Sequence, residues 1–400
     1  MTTTTSDQMR VWRGPAILSF GFRPFFLGGS CWAVLAMVLW MAMLTGHLTL
    51  PVAFDPVSWH AHEFLFGYMG AVAAGFLLTA VPNWTGRLPI VGWPLGWLAT
   101  LWLAGRLAMA VSGHLPVWLV AGVDLAFPLV LALAIGREIV TGRNWRNLTV
   151  LTMLTVLVLG NAVFHWEAAN GYHAAQGAGL RIGLGTGIMM IAVIGGRIIP
   201  SFTRNWMVRR GEASLPVPPM QKFDRLALIA LLVTLLFWVI RPDAIASGNA
   251  LLVVGGIHLV RLTRWRGYRA HAEPLVLVLH VGYLFLPLGA LAIGAEILLP
   301  GTFGQAAAQH LWTAGAIGTM TLAVMTRATL GHTGQSLAAG PATVAIYVSI
   351  WLATLVRVCA GYWPEAAYWL HPVAGLAFIF AFAGFALAYS PALLRPRRRN

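Results

Sequence analysis

The stretch His62-Glu-Phe-Leu-Phe-Gly67-Tyr-Met-Gly70-Ala-Val-Ala-Ala-Gly-Phe-Leu-Leu-Thr-Ala-Val-Pro-Asn-Trp-Thr85-Gly86 decides how this chain is built. After an opening His and Glu it runs apolar for about 20 residues, the length of a helix that crosses hydrocarbon. The same frame returns 248 residues later as His310-Leu-Trp-Thr-Ala-Gly315-Ala-Ile-Gly318, with Thr333-Gly334 again 23 residues after the His. The His, both Gly and the Thr-Gly keep their offsets. Two membrane helices of one design therefore each carry a His at one depth, and imidazoles placed that way can hold a haem iron between them.

Working outward, apolar runs fill the chain. Of 400 residues 58% are hydrophobic and 10% charged, which excludes a soluble globular domain. The runs are continuous rather than alternating, so helices and not a barrel are expected. Twelve spans are predicted: 26–48, 60–82, 92–112, 116–136, 147–169, 178–200, 224–244, 248–264, 273–298, 305–329, 340–362 and 367–393, the eighth the shortest. The fold class is an all-α polytopic membrane protein, with 1–400 one integral membrane domain, 1–25 a cytoplasmic N-terminal segment and 394–400 a basic cytoplasmic tail. The first ten residues are polar and no cleavable signal peptide is expected. Gly179, Gly183 and Gly187 form a small-residue stripe on the sixth span that lets a neighbour pack closely.

The net charge is +14, from 26 basic residues, all Arg but Lys222, and 12 acids. The cations sit in alternate loops, so they report topology rather than nucleic-acid binding. Arg10, Arg13, Arg23, Arg87, Arg137, Arg143, Arg146, Arg204, Arg209, Arg210, Arg261, Arg264, Arg266, Arg269 and the tail from Arg395 mark one side. By the positive-inside rule both termini are cytoplasmic. Cys31 and Cys359 lie in apolar segments, form no disulfide framework and read as buried packing residues.

A weaker third copy of the frame ends at Thr203, with Gly185 in place but no His. Spans two, six and ten are then each four helices apart, which suggests three arcs of four helices about a pseudo-threefold axis. That arrangement is similar to the main subunit of the heme-copper oxidases, whose low-spin haem ligands lie on the second and tenth helices.

Polar residues within the membrane need explaining. His60 and His62 are about 200° apart on a helix, so they face different partners, and Glu63 is placed to orient a ligating imidazole. His62 and His310, with His60, are the metal or haem candidates; the plain alternative is a polar collar at a helix start. His165 is within reach of the same layer. Arg106 and Asp124, on adjacent antiparallel spans, read as a buried ion pair, or Arg106 as the grip on a haem propionate. His258 and His280, on consecutive spans near the other face, form a second candidate pair for a haem or copper, or hydrogen-bond glue. His47, His114, His173, His271 and His371 fall near loops. With no C-x-x-C-H, haem would be b-type and held by ligation.

The blocks Gly21-Phe-Arg-Pro-Phe-Phe26, Trp59-His-Ala-His-Glu63, Gly75-Phe-Leu-Leu-Thr-Ala-Val-Pro-Asn-Trp-Thr-Gly-Arg87, Gly196-Arg-Ile-Ile-Pro-Ser-Phe-Thr203 and Arg327-Ala-Thr-Leu-Gly-His-Thr-Gly334 resemble the NnrS family over nearly the whole chain. The resemblance implies a bacterial multipass membrane protein with haem and copper, tied to nitric oxide metabolism, nitrosative-stress resistance and denitrification. The expected partners are the lipid bilayer, nitric oxide or a related nitrogen oxide, and an electron donor the sequence does not name, with no nucleic acid. The expected function is redox or gas chemistry at a haem near the periplasmic face. A transporter of a metal, nitrosyl complex or small solute, and a sensor or assembly factor without turnover, are the alternatives; internal repeats suit transporters too.

Overall fold

A computed structural model describes residues 12–85 and 89–396. Among the described residues there are twelve long helical segments and no strand. In chain order they are α1 (Phe22–Leu44), α2 (56–85), α3 (Trp93–Ala110), α4 (Val117–Thr141), α5 (Leu148–Ala169), α6 (Ala178–Arg209), α7 (Lys222–Ile240), α8 (Ile245–Thr263), α9 (Pro274–Leu298), α10 (305–333), α11 (Pro341–Tyr362) and α12 (Ala367–Leu394). Among the described residues ten helices are long and apolar enough to cross a membrane; α3 and α10 are not among them. Helix α8, the least defined in sequence, is 19 residues long and qualifies. This is a polytopic helical membrane protein.

The chain divides into two compact units. The first gathers the residues up to Gly183 with 328–336 and those from Phe385 on; the second holds 184–327 and 337–384. In the first unit α2 packs against α1 and α4, while α4 also packs against α3 and α5. In the second, α8 and α9 lie along each other, with α7 beside α8 and α10 beside α9 and α11. The small-residue stripe on α6 does what small residues do in membranes. A methyl group on Gly179 would lie 2.4 Å from the backbone nitrogen of Phe164 on α5, so only glycine permits this approach.

Helix α2 starts earlier than its hydropathy suggests. Asp55 accepts a hydrogen bond from the Ser58 N–H at 2.9 Å, and Pro56 fills the first helical position, where no N–H is needed. Helices α2, α6 and α10, the three that the sequence frame singles out, each contain a π-helical turn, at Glu63–Tyr68, Ile191–Gly195 and Leu311–Gly318. In α2 and α10 that turn begins at the residue after the His. Thr85 is described only in its backbone, and Gly86, Arg10, Arg87 and Arg397 to Arg399 lie outside the described residues. Both cysteines are free, but Cys31 is exposed and Cys359 half-buried, so Cys31 is not the buried packing residue expected. On α1 it shares an outward surface with Leu35 and Val38, which suits lipid.

Candidate metal centre

The site lies in the first unit, built around α2. An α-helix carries the chain to His62, and the π turn over Glu63–Tyr68 follows at once. Such a turn holds one residue more than the α-helix around it, and is frequent at functional sites. Here His62 and Glu63, neighbours in sequence, are both fully buried. His60 takes a different direction, as its angular separation requires: it stacks on Trp40 with ring centroids 4.4 Å apart.

One carboxylate organises the centre. Oδ2 of Asp124, on α4, lies 3.0 Å from Nε2 of His165 and 3.2 Å from Nε2 of His62, and accepts a hydrogen bond from Nδ2 of Asn161 at 2.7 Å. Asn161 and His165 are four residues apart on α5, hence on one face. That bond orients the Asn161 amide so that its Oδ1 faces His62 Nε2 at 2.9 Å. The other nitrogen of His62, Nδ1, is 3.0 Å from Glu63 Oε1, the orienting carboxylate anticipated from the sequence. Arg106 on α3 donates to both Glu63 oxygens at 2.8 Å and to Asp124 Oδ1. The ion pair expected of Arg106 and Asp124 is thus present, but it is one arm of a bridge whose other arm is Glu63.

Charge and donor type define what this centre accepts. One arginine stands between two carboxylates, so with neutral imidazoles the formal charge is −1. Both ring nitrogens of His62 face oxygens, so Nε2 either donates a hydrogen bond to Asn161 and Asp124 or, as a bare lone pair, shares a metal cation with them. The ligand atoms of His62, Asp124 and His165 lie within 4.8 Å of one another. Two imidazoles and a carboxylate suit a divalent first-row metal ion, with the Asn161 oxygen beside them. All of it is sealed: Phe54, Phe66 and Phe164 pack around His62 with ring centroids 6.1, 5.4 and 5.5 Å away.

The glycines of the repeated frame now acquire separate meanings. A methyl group on Gly67 would lie 2.2 Å from Nη1 of Arg106, so the missing side chain is where the guanidinium passes. The Gly67 carbonyl accepts from the Trp102 indole at 2.9 Å, fixing α3 alongside. Gly70 meets nothing within 4 Å.

Residues 16–397, nearly the whole chain, match the family described as NnrS protein. The chain belongs to the NnrS family. No curated protein matches it. In this NnrS chain the buried His-Asp-His group and the family together fit a metal- or haem-binding membrane protein.

The other residues singled out in the sequence sit elsewhere. His310, at the corresponding offset of α10 in the second unit, is half-buried, with Nδ1 2.6 Å from the Ala306 carbonyl of its own helix. His258 and His280, also in the second unit, are buried but committed to different partners. His258 Nδ1 is 2.8 Å from the Tyr283 hydroxyl and Nε2 3.2 Å from the Ala227 carbonyl. His280 Nε2 is 2.8 Å from Thr203 Oγ1. The hydroxyl of Thr203 donates to Ile199 at 2.8 Å, so it accepts from His280. Around His258 lies a buried network absent from the sequence reading. Arg261 bonds Asp224 and Tyr283 at 2.8 Å each, and its guanidinium crosses Gly196 beside the π turn of α6. There a fixed cation already occupies the middle of the polar group. Asn161 was likewise missed, although a polar residue four positions before His165 in an apolar helix was the available signal.

Proposed function

We propose that this NnrS protein holds a metal ion at His62, Asp124 and His165 and carries out redox or gas chemistry there in the response to nitric oxide. The observation that carries the proposal is the convergence of two imidazoles and a carboxylate, fully enclosed, with their ligand atoms within 4.8 Å of one another. When bound, such an ion supplies an electron-exchanging or electrophilic centre for a small ligand. The chain's own residues do the rest. Glu63 accepts from His62 Nδ1 and so presents Nε2 inward. Asn161 orients Asp124, Arg106 offsets one of the two carboxylate charges, and the phenylalanines exclude water, which strengthens every electrostatic interaction inside. The alternating arginine loops support a bacterial inner-membrane location with both termini cytoplasmic.

Metal analysis of purified protein tests this. The wild type should carry the ion, and Asp124→Asn and His165→Ala should lose it while still inserting in the membrane. Equal metal content in all three overturns the proposal. A second reading gives b-type haem to His62 and to His310, and is favoured by the π turn that follows each of them directly. It predicts a Soret band that His62→Ala and His310→Ala each remove. Haem at His62 Nε2 would have to displace Asn161 and Asp124, whereas a single ion would not.

A further inference from the structure

We infer that Phe54 is the gate of this buried centre, a single aromatic side chain that closes it at the loop end of the first unit. Residues 48–55 connect α1 to α2 without regular structure, and Phe54 alone among them is buried. Its ring covers both imidazoles: the centroids lie 6.1 Å from His62 and 5.8 Å from His165, the second edge-on. Phe66 and Phe164 belong to α2 and α5 and cannot leave without moving a helix. Phe54 sits on a strap. It is also the most exposed of the three, at 9% against 6% and 0%.

The strap is tied on each side of the ring by a few bonds only. The Gly113 N–H donates to the Pro51 carbonyl at 2.8 Å, and the Ala53 N–H to Ser112 Oγ at 2.9 Å. Beyond the ring, Asp55 Oδ2 pairs with His173 Nδ1 at 3.0 Å. That pair is 38% and 43% exposed, and a charged pair so exposed belongs to the aqueous interface, not to hydrocarbon. The path from water to the centre therefore runs past Asp55 and His173 and is stopped by Phe54. Strap and ties are local, so the ring can swing out at the cost of a few hydrogen bonds, while the helices stay packed.

The inference uses the proposed centre as the thing gated, but its test does not need a metal. Purified protein, with and without prior chelator treatment, is exposed to diethylpyrocarbonate, and the modification of each histidine is followed by mass spectrometry. F54A should label His62 and His165 at least tenfold faster than wild type in both samples. F54W should stay at the wild-type rate or below it. His258, buried in the second unit, reports the fold and should stay unlabelled. Wild-type rates at His62 and His165 in F54A, with His258 protected, overturn the gate. If F54A exposes His258 as well, F54L carries the comparison: faster labelling at the centre alone supports the gate, and an unchanged rate overturns it. Loss of metal without any change in these rates would count against the metal proposal's enclosure argument and not for the gate.

Discussion

Gly67→Ala and Gly70→Ala make a paired test of the centre, because the two glycines are three residues apart in the same repeated frame and face opposite situations. A methyl at position 67 would lie 2.2 Å from Arg106 Nη1, 3.1 Å from its Cζ and 3.2 Å from Glu63 Oε2. To reach ordinary contact of about 3.5 Å the guanidinium must retreat by roughly 1.3 Å. Its bonds to Glu63 are 2.8 Å long, so a shift of that size breaks them and loosens the contact with Asp124. Two carboxylates then remain buried with a displaced partner. Breaking a buried ion pair costs about 3–5 kcal/mol. At position 70 a methyl meets nothing within 4 Å. There the substitution should be neutral or stabilise by up to about 1 kcal/mol through helix propensity. Thermal unfolding in detergent, together with metal content, reads both. Gly67→Ala should melt several degrees lower and lose metal, and Gly70→Ala should do neither. Equal behaviour of the two variants would refute the claim that the first glycine exists to let the arginine through.

Three further outcomes follow from the same geometry. Asn161→Leu removes the amide that bridges Asp124 and His62 and should cost about 1–3 kcal/mol, the penalty for leaving a buried polar group unsatisfied, with a matching fall in metal affinity by titration. Asp224→Asn weakens the partner of Arg261, which is fully buried in the second unit; protein yield and melting temperature should drop while the metal per folded chain stays constant. Asp55→Ala should cost about 1 kcal/mol through the lost helix cap, and Asp55→Asn a few tenths, measured by thermal unfolding. Partial burial alone would raise the Asp55 carboxyl, but the Ser58 hydrogen bonds and the His173 charge together hold it below its ordinary value. A lowered carboxyl stabilises the fold above its unfolded value and ceases to as pH falls through the lowered one. The Asp55 contribution should thus be present just above the ordinary carboxyl value and disappear as the pH falls into acid.

Much of this was legible in the sequence. Apolar runs alone predict twelve spans, and ten of the described helices are long and apolar enough to cross a membrane; the repeated frame points to the helices that carry π turns. Glu63 was read as an orienting group and Arg106 with Asp124 as a pair, since an isolated charge in hydrocarbon needs a partner. What sequence did not reveal was mostly a matter of which helices meet. Asn161 and Phe54 reach His62 from α5 and from a loop; Asn161 at least stands out as a polar residue in an apolar helix, whereas Phe54 carries no local pattern at all. His258 and His280 lie on neighbouring helices, yet neighbouring helices set depth and not direction, and each ring turns to a different hydroxyl. The π turns leave no hydropathy signal at all.

The π turn after His62 also says something about descent. An α-helix advances about 100° per residue, so one residue added to an unbroken α-helix would rotate everything before it by that amount relative to everything after it, whereas a π turn takes the extra residue up locally. Removing one residue from Glu63–Tyr68 would restore an ordinary helix with little rotation of His62 about the helix axis, but the residues within the turn, Glu63 and Gly67 among them, would change the direction they face. Substitution tables score such a segment as tolerant, because most of it is apolar. Its sensitivity is to length. A gene that gains or loses a single codon here changes how Glu63 and Gly67 meet Arg106 in one step, without any change in composition that a comparison of residue types would register.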